Sequence, residues 1–102
     1  MQELSAFQRD LLHVLAGLNE PHGLAIKEEL EDYYDGEVNH GRLYPNLDKL
    51  DEFGLIEKDK FDDRTNIYEI TDEGEQVLDQ RAAWEKQYYR PTPQRAAATQ
   101  GD

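Results

Sequence analysis

Val38 to Leu55 reads V-N-H-G-R-L-Y-P-N-L-D-K-L-D-E-F-G-L, and the fold turns on this stretch. Leu43, Leu47 and Leu50 recur at helical spacing, which makes one face apolar. His40, Arg42, Tyr44, Asn46 and Lys49 fall on the other face or at the N-terminal end, behind Asn39 as N-cap. Gly54 stands where a left-handed stop is expected, and Leu55-Ile56 opens an extended run. An apolar back, a front of hydrogen-bond donors and a strand straight after is the layout of a recognition helix feeding a wing. Pro45 breaks the pattern. It has no N–H to give the Gly41 carbonyl, so the first turn is expected to be irregular or kinked. The plainer reading is an ordinary amphipathic helix with a solvated polar face; the flanking segments favour the first.

Working outward, the 102 residues suffice for one small domain with a modest core. No apolar run is long enough to span a bilayer and no signal-peptide pattern occurs, which points to the cytoplasm. Cysteine is absent, so disulfides, thiolate metal sites and thiol redox sensing by this chain are excluded. The 23 acidic and 11 basic residues give a formal net charge of −12, the opposite of the usual basic footprint of a DNA binder. The charge is uneven. His40 to Tyr68 holds five basic and seven acidic residues, a net of −2, and the rest of the chain carries −10. Acids scattered through ordered-looking segments fit a surface built for high salt better than an acidic mimic or an adaptor for basic partners.

Upstream, Ser5 followed by Gln8 is a capping-box start, and Phe7, Leu11, Val14 or Leu15, and Leu18 form a helical stripe ending near Asn19. Glu20-Pro21-His22-Gly23 is a turn. A second helix is expected from about Leu24 to Tyr34, with Ile26, Leu30 and Tyr33 or Tyr34 inward, closed by Asp35-Gly36. Three short helices with brief turns must pack on one another, the last two as a helix-turn-helix. Downstream, Leu55 to Lys58 reads as a strand, Asp62 to Thr65 as a turn, and Asn66 to Ile70 as the return strand with Tyr68 and Ile70 on the core side. This hairpin is the wing. Thr71 caps a fourth helix whose first turn carries Asp72, Glu73 and Glu75 at the positive end of the dipole. Its stripe is Val77, Arg81, Trp84 and Tyr88, with Leu78 and Ala82 beside it. A domain this small has little core left for it, so the stripe is expected to pack on a second copy. The expected organisation is a mainly α winged helix-turn-helix domain over residues 1–71, a dimerisation helix over 72–89 and a disordered tail over 90–102.

G-R-L-Y-P-N-L-D-K-L-D-E-F-G-L-I-E-K, the turn at Arg64, and then I-Y-E-I-T-D-E-G resemble the PadR-like transcriptional regulators. The marks of that family are matched by Leu43-Tyr44-Pro45 in the recognition helix, Gly54-Leu55-Ile56 at the exit into the wing, and Thr71 to Gly74 at the start of the last helix. Leu4 to Gly23 fits the family's first helix and turn. The resemblance implies a winged helix-turn-helix homodimer that binds double-stranded operator DNA and usually represses, and it accounts for Pro45. The acidity departs from most of the family and is similar to its short haloarchaeal members, one of them oxidant-responsive. The sequence itself shows no redox chemistry.

A helix in the major groove presents its N-terminal residues to base edges. Arg42 is the expected guanine reader, through a bidentate contact. Asn39 and His40 are expected at bases or phosphate, Asn46 among the DNA contacts of the same helix, Tyr44 and Lys49 at phosphate, and Lys58, Lys60 and Arg64 at phosphate or in the minor groove. Phe7, Val77, Arg81, Trp84 and Tyr88 are expected at the dimer interface, as packing in preference to an effector pocket. His13, His22 and His40 share no metal-ligand spacing, and E-E-L-E-D-Y-Y-D-G-E lacks the calcium-loop pattern, so no metal or other cofactor is expected. There is no phosphate loop, serine elbow or nucleophile–base pair, so no catalysis is expected. Two function classes remain, a DNA-binding regulator and a winged-helix adaptor that binds protein and not DNA.

Overall fold

The computed structural model describes residues 3–91. The elements run α1 (Ala6–Gly17), α2 (Gly23–Tyr34), α3 (His40–Glu52), β1 (Ile56–Lys60), β2 (Asn66–Ile70) and α4 (Asp72–Lys86). Each helix begins where a side chain satisfies one of the orphan N–H groups of its first turn. Ser5 and Gln8 form the reciprocal capping box of α1. Asn39 accepts from the Arg42 N–H at α3, and Thr71 from the Gly74 N–H at α4. The α2 cap is His22, whose Nδ1 accepts from the Ala25 N–H at 3.2 Å; histidine is not a residue that sequence rules put there.

The core is the meeting of the helical stripes. Leu11, Leu15, Ile26, Leu30, Leu43, Leu47, Leu50 and Ile56 are buried, and Tyr68 closes the sheet side. Leu12, off the expected stripe, is buried as well, because α1 is the central helix and touches α2, α3, α4 and β2. Tyr34 is the inward tyrosine. Its hydroxyl donates to the Asp10 carboxylate, and burial together with that partner pushes it up to about 12. Tyr33 stays exposed.

The turn between α2 and α3 is pinned by one carboxylate. Glu31 accepts from the Val38 N–H at 2.9 Å and from Lys27 at 2.7 Å, and these bonds hold it below the usual carboxylate range. The α3 helix continues unbroken past Pro45, so the expected irregularity is milder than a break. In the turn where the proline removes a donor, the Asn46 amide gives the Arg42 carbonyl a bond of 2.7 Å.

The hairpin is antiparallel, with Ile56 opposite Ile70, Lys58 opposite Tyr68 and Lys60 opposite Asn66. β1 runs two residues beyond its expected end at Lys58, since pairing with β2 and not apolar content sets its length. The wing and α4 are joined at one tight crossing. The Thr71 hydroxyl donates to the Gly54 carbonyl at 2.7 Å and its N–H to the Leu55 carbonyl at 3.0 Å. A Cβ on Gly74 would lie 2.2 Å from the Leu55 carbonyl oxygen, so only glycine fits there. The last helix ends at Lys86, with a turn over 87–88. Of the tail expected over 90–102, residues 92–102 lie outside the described residues.

Candidate nucleic-acid interface

At about 100° per residue, the line of α3 farthest from its leucines carries Gly41, Pro45, Asp48 and Glu52, and all four are exposed. Arg42 and Lys49 flank it on the side of α1, and Tyr44 on the side of α2. The donors therefore sit in the N-terminal half of the helix and along its edges, and the C-terminal half is acidic.

The side chains expected to meet DNA are in different states of readiness. The Arg42 guanidinium lies over the Phe7 ring, 3.9 Å from its centre. His40 and Tyr44 pack edge to face, with ring centres 5.5 Å apart. The Asn39 side-chain oxygen, Oδ1, is engaged by the Arg42 N–H at 2.8 Å as the helix cap. Asn46 is held at both ends of its amide: Gln8 Nε2 donates to it at 3.0 Å, and it donates to the Arg42 carbonyl. That makes Asn46 a strut between α1 and α3 more than a free reader. Among the described residues Lys49, Lys60 and Arg64 form no ion pair, whereas Lys58 Nζ lies 3.1 Å from Asp48 Oδ1. The hydrogen bond to Asp48 holds the Lys58 ammonium above the ordinary lysine range.

Of the side chains expected to meet DNA, the structure brings Tyr44 and Arg64 together in one cleft of about 360 Å³, lined also by His22, Gly23, Leu24, Thr65, Asn66 and Tyr68. The Tyr44 ring lies against the first turn of α2, close enough that a Cβ on Gly23 would meet its hydroxyl at 2.4 Å. The mouth thus combines the N-terminal end of α2, a phenol and a guanidinium, groups that suit an anion. The wing loop is closed on itself. The Phe61 N–H donates to the Thr65 carbonyl at 2.9 Å, and Asp62 Oδ1 accepts from the N–H groups of Arg64 and Thr65 at 2.9 and 2.8 Å. The bond from Arg64 holds the Asp62 carboxyl below its ordinary range.

Phe7 requires a correction. It is buried in the protomer's own core, beneath Arg42 and beside Tyr34, and is not available to a second copy. The rest of the α4 stripe is different. Val77 packs half-buried against the core, while Trp84 is 49% and Tyr88 73% exposed. The Trp84 and Tyr88 rings are 5.2 Å apart, and the Arg81 guanidinium lies 4.4 Å from the Trp84 ring centre. Sequence reasoning did not find Gln8, Asp48, His22 or Gly23. Gln8, Asp48 and Gly23 act here through partners distant in sequence, and His22 caps α2 three residues on with a side chain that capping preferences do not mark. Among the described residues no three His, Cys, Asp or Glu side chains are grouped to hold a metal ion, and no helix is long and apolar enough to cross a membrane.

The profile of the Transcriptional regulator PadR-like family matches residues 11–80. Among solved structures, RosR of H. salinarum is 44% identical over 98% of this chain and 90% of its own, with a TM-score of 0.85. A structure described as the complex of hsRosR with S1 is 45% identical over 96% of this chain and 87% of its own, with a TM-score of 0.83. A transcriptional regulator from Clostridium thermocellum, 22% identical over 78% of this chain and 83% of its own, shares the fold at a TM-score of 0.68. No curated protein matches the sequence. With the family profile spanning the helix-turn-helix, the wing and most of α4, the chain belongs to the PadR-like family of transcriptional regulators, and its winged helix is a DNA-binding one.

Proposed function

We propose that the chain acts as a homodimer on a palindromic operator, lowering transcription by occupying it at high salt. Each subunit lays α3 in a major groove and its wing over the adjacent minor groove. Arg42 reads guanine, and His40 and Asn39 serve the same helix end. Tyr44, Lys49 and the N-terminus of α2 hold phosphate. Lys58, Lys60 and Arg64 meet the backbone from the wing. The observation that carries this reading is the shared cleft, where one donor from each of α2, α3 and the wing faces the same space. The exposed Trp84 and Tyr88 on α4 support self-association, because large aromatics in water are the usual anchors of an interface. Two-fold symmetry then sets the recognition helices about 34 Å apart. A response to oxidants, which the resemblance to the short haloarchaeal members of the family implies, would operate without thiols, since this sequence has no cysteine.

The test is a gel shift with duplexes selected by the protein from a random pool at about 2 M KCl, where charges are almost fully screened. Enrichment of a palindrome is expected. Failure to enrich any duplex, at this or lower salt, would overturn the reading and leave the adaptor class.

A further inference from the structure

The wing loop holds one residue whose chemistry differs from its neighbours. Between Lys60 and Asp62-Asp63-Arg64-Thr65 stands Phe61, 72% exposed. It belongs neither to the hydrophobic core nor to the half-buried residues packed on it. A ring left in water by a charged turn contributes nothing to folding that a polar residue would not. The loop that carries it is nevertheless well made: its own N–H closes on the Thr65 carbonyl, and Asp62 ties the two amides that follow. The ring is presented by a closed turn and not by a loose one, which reduces the entropy lost when it is buried against a partner.

We propose that Phe61 is an apolar wedge that enters the minor groove beside each half-site and partly unstacks a base step. This rests on the DNA-binding reading above. Three observations choose duplex DNA as the occupant. First, the ring is flanked by Lys60 and Arg64, cations without an ion pair among the described residues. Second, Arg64 and Thr65 of the same loop line the cleft shared with Tyr44 and α2, so the tip is continuous with the reading surface. Third, the reach is right. β1 has five residues, about 17 Å at 3.3 Å each, which is half of the roughly 34 Å helical repeat that separates successive major grooves. A helix in the major groove thus places the tip over the neighbouring minor groove, where inserted Phe, Leu and Met side chains kink duplexes. The wedge also suits an acidic chain. Ionic contacts fade as salt rises, whereas burial of an aromatic ring does not.

The experiment compares the parent with Phe61→Ala and Phe61→Leu on the duplex enriched by the parent, with 2-aminopurine placed in turn at pyrimidine–purine steps. Thermal melting should be the same for all three proteins, because the ring touches no core residue. The parent should raise 2-aminopurine fluorescence at one step per half-site and shorten the end-to-end FRET distance. Phe61→Ala should lose both signals and bind at least about tenfold more weakly, by a factor that does not shrink from about 0.2 to 2 M KCl. Phe61→Leu should restore most of each. If Phe61→Ala binds with the parent's affinity and fluorescence, the wedge is wrong while DNA binding stands. A change in oligomeric state of Phe61→Ala without DNA would assign the ring to protein contact instead and overturn the proposal. If the parent enriches no duplex, both this inference and the proposed function fall.

Discussion

The guanidinium of Arg42 rests on the ring of Phe7, 3.9 Å from its centre, so the expected base reader is stowed against its own subunit. An exposed cation–π contact is worth about 0.5–1 kcal/mol, and a bidentate guanine contact about 1–3 kcal/mol. The base contact is the larger, so Arg42 should leave Phe7 when DNA arrives. Arg42→Ala should weaken operator binding by about 1–3 kcal/mol and relax specificity at one position, while costing less than about 1 kcal/mol of stability. Binding curves on single-base operator variants, set beside urea melts, check both. Unchanged affinity and specificity with lowered stability would make Arg42 a packing residue only.

The α4 stripe gives the second prediction. Trp84→Ala should cost the proposed dimer about 2 kcal/mol or more, as for an anchor at an interface centre. The protomer should stay folded, since Trp84 lies outside the buried core. Sedimentation at micromolar concentration decides; an intact dimer with alanine at this position sinks the assignment.

Gly74 gives the third. An alanine there would drive its Cβ to 2.2 Å from the Leu55 carbonyl oxygen, a backbone atom, and to 2.6 Å from Ile70 Cγ1. Gly74→Ala should therefore destabilise by about 1–3 kcal/mol, the usual cost of overpacking. It should also loosen the wing, because the same crossing carries the bonds of Thr71 to Gly54 and Leu55. Denaturant unfolding measures the first, and hydrogen exchange of the Leu55 and Thr71 amides the second. An unchanged midpoint would mean that α4 docks more loosely than it stands here.

Salt gives the fourth. Ordinary binders show a slope near −0.9 per phosphate neutralised. Here Lys58 is already paired with Asp48, and Asp48 and Glu52 line the outer face of α3. Cations kept or taken up by these carboxylates oppose counterion release, so the slope should be much shallower. Asp48→Asn should steepen it by freeing Lys58, and Asp63→Asn by removing a repulsive charge at the wing tip. Asp62 is unsuitable for this purpose, since its carboxylate holds the loop. Operator affinity from about 0.2 to 2 M KCl is the readout. A steep fall shared by parent and variants would falsify the carboxylate role.

What was legible in the sequence was local. Ser5, Asn39 and Thr71 act within three residues of themselves, and each caps its helix as the spacing indicates. The leucine stripe of α3 and the Asn66–Ile70 strand are periodic, and periodicity survives folding. What stayed hidden was long-range. Gln8 and Asn46 are 38 residues apart, and nothing near either announces the other. An aromatic, apolar Phe7 suits an interface as well as a core, and its burial under Arg42 depends on how α1 crosses α3. The cap at His22 is local yet equally silent, because it depends on a side-chain nitrogen lying 3.2 Å from one amide, a fact of geometry and not of residue preference.

The short passage from Glu52 through Gly54 to Ile56, with the bonds of Thr71 to Gly54 and Leu55, fastens the wing to the end of α3 within each subunit. On the proposed docking, the distance from the bases under α3 to the groove under the wing is therefore a gauge set within the protomer. In the proposed dimer, the distance between the two α3 helices belongs instead to the contact that α4 makes. An operator could thus gain or lose base pairs between its halves and be followed by a change in α4 alone, whereas a base pair inserted inside a half would demand a new wing.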